Sequence, residues 1–438
     1  MGSKTNPLLE ELKKFDPSNM DKVFTEEQKL VAPNASVKLA PVKRVALFAE
    51  SFPPKVDGVS KSAYLTLRYL QQTGREVLIF APDSALENVG PSQVVRLPSI
   101  GLRFAPETRV PFPTPSIGRH LDEFQPDMIH LFSPAIMCMG GMMAGRRRGI
   151  PVVANYQTDL PGYARQHYGL RWIAPIIGRW LRYIHNHSHL NLVPSEFTLQ
   201  QIRGEGYHRL RVWSRGVDGE RFNPAHRSED MRRRLLNGRD PDSLLCLYVG
   251  RVAPEKQIDL LIDVARLPGV GLTIIGDGAA RHDLEARFAG TDTHFAGYMV
   301  GDDLAQAYAS SDVFTFAGSN ETFGQVVHES MASGLPAVII NEGGITDLIK
   351  DGVNGYVCEE DPAAFAEAVK KLRDDPDTRQ KMGRVSREIA EQRPWDAIMS
   401  QLEDYYRLAT DLNQRHSRIY RRAKAPLVSA PAWMKLGG

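Results

Sequence analysis

The sequence predicts an α/β protein made of two Rossmann-like domains that face each other across a cleft. Three observations carry this. Short apolar runs of strand length alternate with stretches of helical apolar spacing, as in a parallel sheet wrapped on both faces. The alternation runs through the first half of the chain and then restarts near residue 244. The chain has 438 residues, 42% of them hydrophobic, which is enough for two cores and excludes wholesale disorder.

Residues 1–41 are charged, irregular and contain Pro7, Pro17, Pro33 and Pro41, so they are expected to lie outside the core. A strand at 45–49 leads through a loop over 51–58 into a helix. That helix has Val59, Ala63, Leu67 and Leu70 on one face and is closed by Gly74. Further strands are expected at 77–80, 128–132, 152–155 and 190–193, with Ser195 capping the next helix. After a linker at 215–224, strands recur at 244–249, 272–275, 313–316 and 337–340, with a helix at 258–267. This gives an N-terminal Rossmann-like domain at 42–215 and a C-terminal one at 216–394. A helix at 395–412 is expected to cross back to the N-terminal domain. A basic tail at 413–438 holds Arg415, Arg418, Arg421, Arg422 and Lys424.

Composition narrows the function classes. There are 54 Lys and Arg against 52 Asp and Glu, a formal charge of +2, whereas a dedicated nucleic-acid binder carries a large basic excess. No nucleic-acid partner is expected. Cys138, Cys246 and Cys358 are far apart, which suggests buried thiols in a reducing compartment rather than a disulfide framework or a CxxC metal site. Residues 1–6 hold no long apolar core, so no secretory signal is read there. The longest apolar stretch, 131–144, is broken by Pro134, Gly140 and Gly141 and falls short of a spanning helix. A cytoplasmic protein with at most peripheral membrane contact is expected.

The sharpest chemical signal is Glu321-Thr-Phe-Gly-Gln-Val-Val-His-Glu329. Two carboxylates bracket Phe323-Gly324 and the start of a helix that stops at Gly334-Leu-Pro336. A helix opening at Gly324 aims free amides and its positive dipole end at an anion. Glu329 would lie up to about 12 Å further along, at 1.5 Å per residue. A sugar–diphosphate–nucleoside would match, although spacing alone leaves open that both carboxylates are ordinary surface charges. Arg251 and Lys256 follow the strand at 244–249. They offer a planar fork and a point charge for phosphate, or else simply face water. Gly276-Asp277-Gly278 allows close backbone approach to a ligand or makes a plain turn. Gly58, after Lys55-Val-Asp57, could present its amide to a phosphate.

Together these stretches resemble the retaining GT-B glycosyltransferases of the large family containing bacterial and plant glycolipid enzymes. The resemblance covers roughly 42–410 and includes Ala49-Glu-Ser-Phe-Pro-Pro-Lys-Val-Asp-Gly-Val59, Tyr156-Gln-Thr-Asp-Leu-Pro161, Arg215-Gly-Val-Asp218, Tyr248-Val-Gly-Arg-Val-Ala-Pro-Glu-Lys256 and Asp351-Gly-Val-Asn-Gly355. Tyr156-Gln-Thr-Asp159 and Phe323-Gly-Gln-Val-Val327 are similar to GDP-mannose-dependent α-mannosyltransferases. Arg227-Ser-Glu-Asp-Met-Arg232 and Tyr308-Ala-Ser-Ser-Asp312 look like sulfoquinovosyl diacylglycerol synthases.

The resemblance implies a catalytic set of Glu321, Arg251 and Lys256. Glu321 would support the positive charge developing on the transferred hexose, and the two cations would hold the donor diphosphate. It implies that Glu329 binds the ribose and that the amides of Phe323, Gly324, Gln325 and Val326 line the sugar and phosphate. Gly58 would close over the diphosphate, and the base would lie near Gly276 and Gly297-Tyr298-Met299. Gln157 and Asp57 would contact the hexose or the acceptor. Neither a metal nor a cofactor is implied, because the basic pair and the helix dipole take the ion's place. Two departures stand out. Gln157 replaces a His of many relatives and cannot act as a general base. Gln257 stands where many relatives have Gly.

The implied activity is α-transfer of a hexose from GDP-mannose or a UDP-hexose to a membrane glycerolipid or glycolipid, with UDP-sulfoquinovose as an alternative donor. Residues 160–195 hold no Asp or Glu. Arg165, Arg171, Arg179 and Arg182 are interleaved there with Tyr163, Tyr168, Trp172, Trp180 and Tyr183. A basic amphipathic helix with aromatic residues suits an anionic membrane surface, as would Arg146-Arg147-Arg148 and the tail. A core-facing helix with solvated Arg residues is the plainer reading. A soluble acceptor, or nucleotide-sugar binding without catalysis, remain the other readings. His185, His187 and His189 alternate without nearby Cys, Asp or Glu, so a metal is not expected there, and Asp240-Pro-Asp242 is read as a loop.

Overall fold

The computed structural model describes residues 31, 37–55, 57–102, 105–166, 171–291 and 293–424. The N-terminal domain is organised on eight strands: β1 (Arg44–Ala49), β2 (Glu76–Pro82), β3 (Asn88–Val89), β4 (Ser92–Leu97), β7 (Met128–Phe132), β8 (Val152–Asn155), β9 (Leu190–Val193) and β10 (Leu210–Val212). Their order is β10-β9-β8-β7-β1-β2-β4-β3, parallel except for the last pair. A separate hairpin joins β5 (Ser99–Leu102) and β6 (Ala105–Pro111). Side chains alternate across the central strand. Val45, Leu47 and Ala49 face one core, and Ala46 and Phe48 face the other.

The C-terminal domain repeats the plan with six parallel strands: β11 (Leu244–Val249), β12 (Val270–Ile275), β13 (His294–Gly297), β14 (Val313–Phe316), β15 (Ala337–Ile340) and β16 (Gly355–Cys358). Their order is β13-β12-β11-β14-β15-β16. The chain enters at the sheet centre and reverses direction between β11 and β14. Ligands of such sheets bind beyond the carboxyl ends at that point. The expected helix at 258–267 is instead a 3-10 turn, Ile258–Leu261, followed by a short helix, Ile262–Ala265. No side chain caps either piece, and Pro268 stops the run.

The last helix does cross back. It spans Trp395–Lys424, well past the expected end at 412, because nothing between 412 and Pro426 breaks a helix. Residues 413–424 of the expected tail are therefore helical, and 425–438 lie outside the described residues. This helix packs on the N-terminal domain. Trp213 Nε1 donates to the Ile398 carbonyl at 2.9 Å, and the Tyr406 hydroxyl meets His130 Nδ1 at 2.9 Å. Arg75 and Glu403 form a buried ion pair at 2.6 Å. The Ala40 amide donates to Glu403 at 2.7 Å, and Val31 and Ala40 belong to the core, so part of the segment expected to lie outside is packed. The rest of 1–36 lies outside the described residues.

The domains also touch across the cleft. Asp347 accepts from the amides of Glu196 and Phe197, which start the helix Glu196–Gly204. The Thr322 hydroxyl donates to the Gln157 carbonyl at 2.8 Å. Within the C-terminal domain, Gln325 Nε2 donates to the Gly216 carbonyl of the linker at 3.1 Å. All three thiols are buried. No helix among the described residues is long and apolar enough to cross a membrane.

Candidate active site

The carboxyl ends of β11, β12 and β14 bring the donor-side residues together. After β11, Gly250 and Arg251 lead into the turn Pro254–Lys256. After β14, the chain runs through Glu321 to Gly324 and into the helix Gln325–Ala332. Lys256 Nζ meets Glu321 Oε1 directly and lies 5.8 Å from the centre of the Phe316 ring. Glu321 is thus paired with one of the two cations the sequence placed beside it. Arg251 is held differently. Its guanidinium pairs at 2.6 Å with Glu255, a buried carboxylate to which the sequence assigns no role. Burial pushes the Glu321 carboxyl up, but Lys256, with Arg215 and Arg251 behind it, outweighs burial and holds it below the ordinary carboxylate value. Glu321 is therefore ionised at neutral pH.

The backbone fixes this carboxylate from beneath. The Gly344 amide donates to the Glu321 carbonyl at 2.6 Å. A Cβ on Gly344 would fall 2.2 Å from the Thr322 oxygen, so this approach requires glycine. Gly324 (φ 86°) opens the 325–332 helix, and no side chain caps it. Phe323 is buried with its ring edge-on to His328. Val326 follows on the first turn, and Tyr308 donates to its carbonyl at 3.2 Å. Glu329 is 7% exposed, with the Tyr308 hydroxyl 3.5 Å from its Oε2. At Gly276 (φ 134°) a Cβ would fall 1.9 Å from the Gly250 oxygen, so the ends of β11 and β12 run closer than a side chain allows. The Gln325 side chain ties the donor loop to the interdomain linker, a role the sequence did not suggest.

On the opposite wall, Asp57 is the N-cap of the helix Gly58–Gln72, accepting from Val59 at 3.0 Å and Ser60 at 2.8 Å. It also takes the Ser51 hydroxyl at 2.7 Å and pairs with Lys55 at 3.2 Å. Gly58 lies against Arg215, which the sequence reading quoted within a motif but gave no role. Its signal was a cation beside glycine at the start of the linker. Gln157 is buried, and its Oε1 has no partner among the described residues. Gln157 and Arg215 line one small cavity of about 10 Å³, enough for a single water.

No cluster of three or more His, Cys, Asp or Glu that could hold a metal occurs among the described residues. His185 bonds to Asn191, His187 to the Tyr183 carbonyl and His189 to the Val152 amide, so the alternating histidines each serve a different partner. Asp240 and Asp242 form a turn ahead of β11.

Comparisons with known proteins identify the family. Residues 232–389 match the family described as Glycosyl transferases group 1, and 56–221 match Glycosyltransferase Family 4. A GDP-mannose-dependent alpha-mannosyltransferase of Mycobacterium tuberculosis is 38% identical over 83% of this chain and 96% of its own length. The chain belongs to this glycosyltransferase family. The sulfoquinovosyl transferase SQD2 of Arabidopsis thaliana is 33% identical over 90% of the chain and 78% of its own length. Among solved structures, sucrose-phosphate synthase from Thermosynechococcus elongatus superposes with a TM-score of 0.67 at 19% identity, over 83% of this chain and 98% of that one. Anabaena HepE in complex with UDP gives 0.64 at 18% identity, over 87% of this chain and all of that one. The protein is a hexosyltransferase that uses a nucleotide sugar and has the GT-B fold.

Proposed function

We propose that the protein transfers mannose from GDP-mannose, with retention, to a lipid acceptor at the surface of the cytoplasmic membrane. The relatives support the donor, since GDP-mannose-dependent enzymes match at 38%, 35% and 32% identity. One structural observation carries the lipid acceptor. On and just before the helix Ala174–His187, Trp172, Ile176, Trp180 and Tyr183 are 74%, 52%, 38% and 46% exposed, at the spacing of a single helix face. Leu181 and Ile184 fill the opposite face. Arg171 and Arg179 are exposed beside the stripe. Such a surface enters the headgroup region of an anionic bilayer. Of the neighbouring arginines, Arg148 pairs with Asp122 at 2.7 Å and Arg146 donates to the His187 carbonyl at 2.8 Å, which leaves Arg147 to contribute.

In this reading Arg251 and Lys256 bind the diphosphate, and the uncapped start of the 325–332 helix faces it. The bond from the anomeric carbon to the phosphate oxygen breaks and the bond to the acceptor oxygen forms on the same face. The acceptor proton passes to the departing phosphate oxygen. Glu321, ionised, offsets the positive charge on the hexose. Glu329 holds the ribose, the Gly58 segment closes over the diphosphate, and Gln157 and Asp57 contact the hexose or the acceptor without exchanging a proton. Neither metal nor cofactor enters. A second reading, UDP-sulfoquinovose as donor, is favoured by the match to SQD2 over 90% of the chain.

Melting the protein with GDP and with UDP separates the donors. A ligand at 100 times its Kd adds about 2.7 kcal/mol, and stabilisation by GDP alone is expected. Vesicle sedimentation tests the acceptor side: binding to anionic vesicles at low salt is expected, weakened by Trp172→Ala with Trp180→Ala. Parent protein that stays in the supernatant would remove the lipid reading.

A further inference from the structure

We propose that Arg215 is a third cation for the donor, binding the distal phosphate of its diphosphate from the linker between the domains. The proposal rests on the donor-site reading above but not on which base or hexose the donor carries. The Arg215 guanidinium lies in the field of two carboxylates, Glu321 of the donor domain and Asp57 of the acceptor domain. Neither is joined to it by a hydrogen bond or an ion pair, and no other described residue is. Its Nε is buried without a partner. A guanidinium carries five N–H donors and no acceptor, and leaving even one of them unanswered out of water is costly.

The surroundings say what would answer them. A Cβ placed on Gly58 would lie 2.6 Å from Nη1, so the cation sits at the positive end of the 58–72 helix. Asp57 already takes the Val59 and Ser60 amides there. An oxyanion beside Gly58 would be met by the guanidinium fork rather than by the helix start. Glu321 and Lys256 lie on the facing wall. The distal phosphate, next to the transferred hexose, is the phosphate that comes nearer Glu321 in the proposed mode.

Calorimetric titration of the full-length protein with GDP, UDP, GMP and UMP tests this. For the diphosphate that the parent binds, Arg215→Ala should lower affinity about 10–100-fold, and Arg215→Lys should lower it less. The matching monophosphate should change by less than about twofold. Gly58→Ala, whose methyl group displaces the guanidinium, should reproduce the diphosphate loss and add little to Arg215→Ala. If Arg215→Ala fails to fold, Arg215→Lys and Gly58→Ala carry the same comparison. Unchanged diphosphate affinity in the folded variants, or equal loss for mono- and diphosphate, overturns the proposal. If the parent binds neither diphosphate, the donor-site reading itself falls, and this proposal with it.

Discussion

The helix starts at Gly58 and Gln325 are built differently. Three helix starts in the N-terminal domain, that at Gly58 among them, are closed by a carboxylate. Asp57 takes the amides of Val59 and Ser60, and Glu50 takes those of Ala135 and Cys138. Asp347, reaching over from the other domain, takes those of Glu196 and Phe197. The 325–332 helix of the C-terminal domain begins at Gly324 with no side-chain cap. A dipole end already facing a carboxylate has little attraction left for an anion, whereas an uncapped one keeps it. Backbone amides are thus open to an anion at Gly324, whereas the start at Gly58 has Asp57 on two of its amides and the Arg215 guanidinium against it.

Three substitutions would break or sharpen this contrast. The largest effect is expected from Glu321→Gln, which removes the charge paired with Lys256. It should lower kcat about 10²–10³-fold, with little change in melting temperature. Near-parental turnover would separate the ionised carboxylate from the chemistry. Next is Gly324→Ala. Its Cβ would fall 2.2 Å from Ile345 Cγ2 at a left-handed φ of 86°. A loss of about 1–3 kcal/mol should lower the melting temperature by several degrees and weaken diphosphate binding by calorimetry. Unaltered binding would mean that the uncapped amides do not face the phosphate.

The smallest effect is expected at Glu50, and it depends on pH. Burial raises its carboxyl to about 7, against the two amides that pull it down. Between the ordinary value of 4.5 and about 7 the folded chain holds a proton that the unfolded chain releases, so this group's stabilisation falls as pH rises through that window. Glu50→Gln stays neutral and can still accept both amides. It should melt a degree or two above the parent at pH 7.5, about 1 kcal/mol after allowing for solvent screening, and level with it at pH 4.5. A gap that stayed constant with pH would assign Glu50 a purely packing role.

The two sheets were legible because buried strands read as apolar runs: β7, β8, β9, β11, β14 and β15 fall on the expected residues. The short edge strands β3 and β10 and the β5–β6 hairpin lack that signal, as edge strands bury one face or none. In the site, Glu321 and Lys256 were legible because each follows a strand's carboxyl end. Arg215 and Asp347 were not, because the groups they face lie 106 and 151 residues away in sequence, and Glu255 was not, because a polar loop does not reveal that this carboxylate is buried. Gln257 shows the same limit. The structure puts it at φ 45°, with its amide donating to Glu360. A side-chain contact there stands in for backbone freedom that spacing cannot reveal.

The return of the last helix also has a consequence for how the chain is made. Arg75 is 3% exposed and has Glu403 as its carboxylate partner. At synthesis rates of about 5–20 residues per second, the roughly 180 residues between 215 and 395 delay that partner by about 10–40 s. The first lobe made is thus the last completed, so the nascent protein must hold an unfinished domain while the second folds beside it. Genetic exchange between relatives meets the same limit, because an acceptor domain transplanted alone would arrive without the residues that close it.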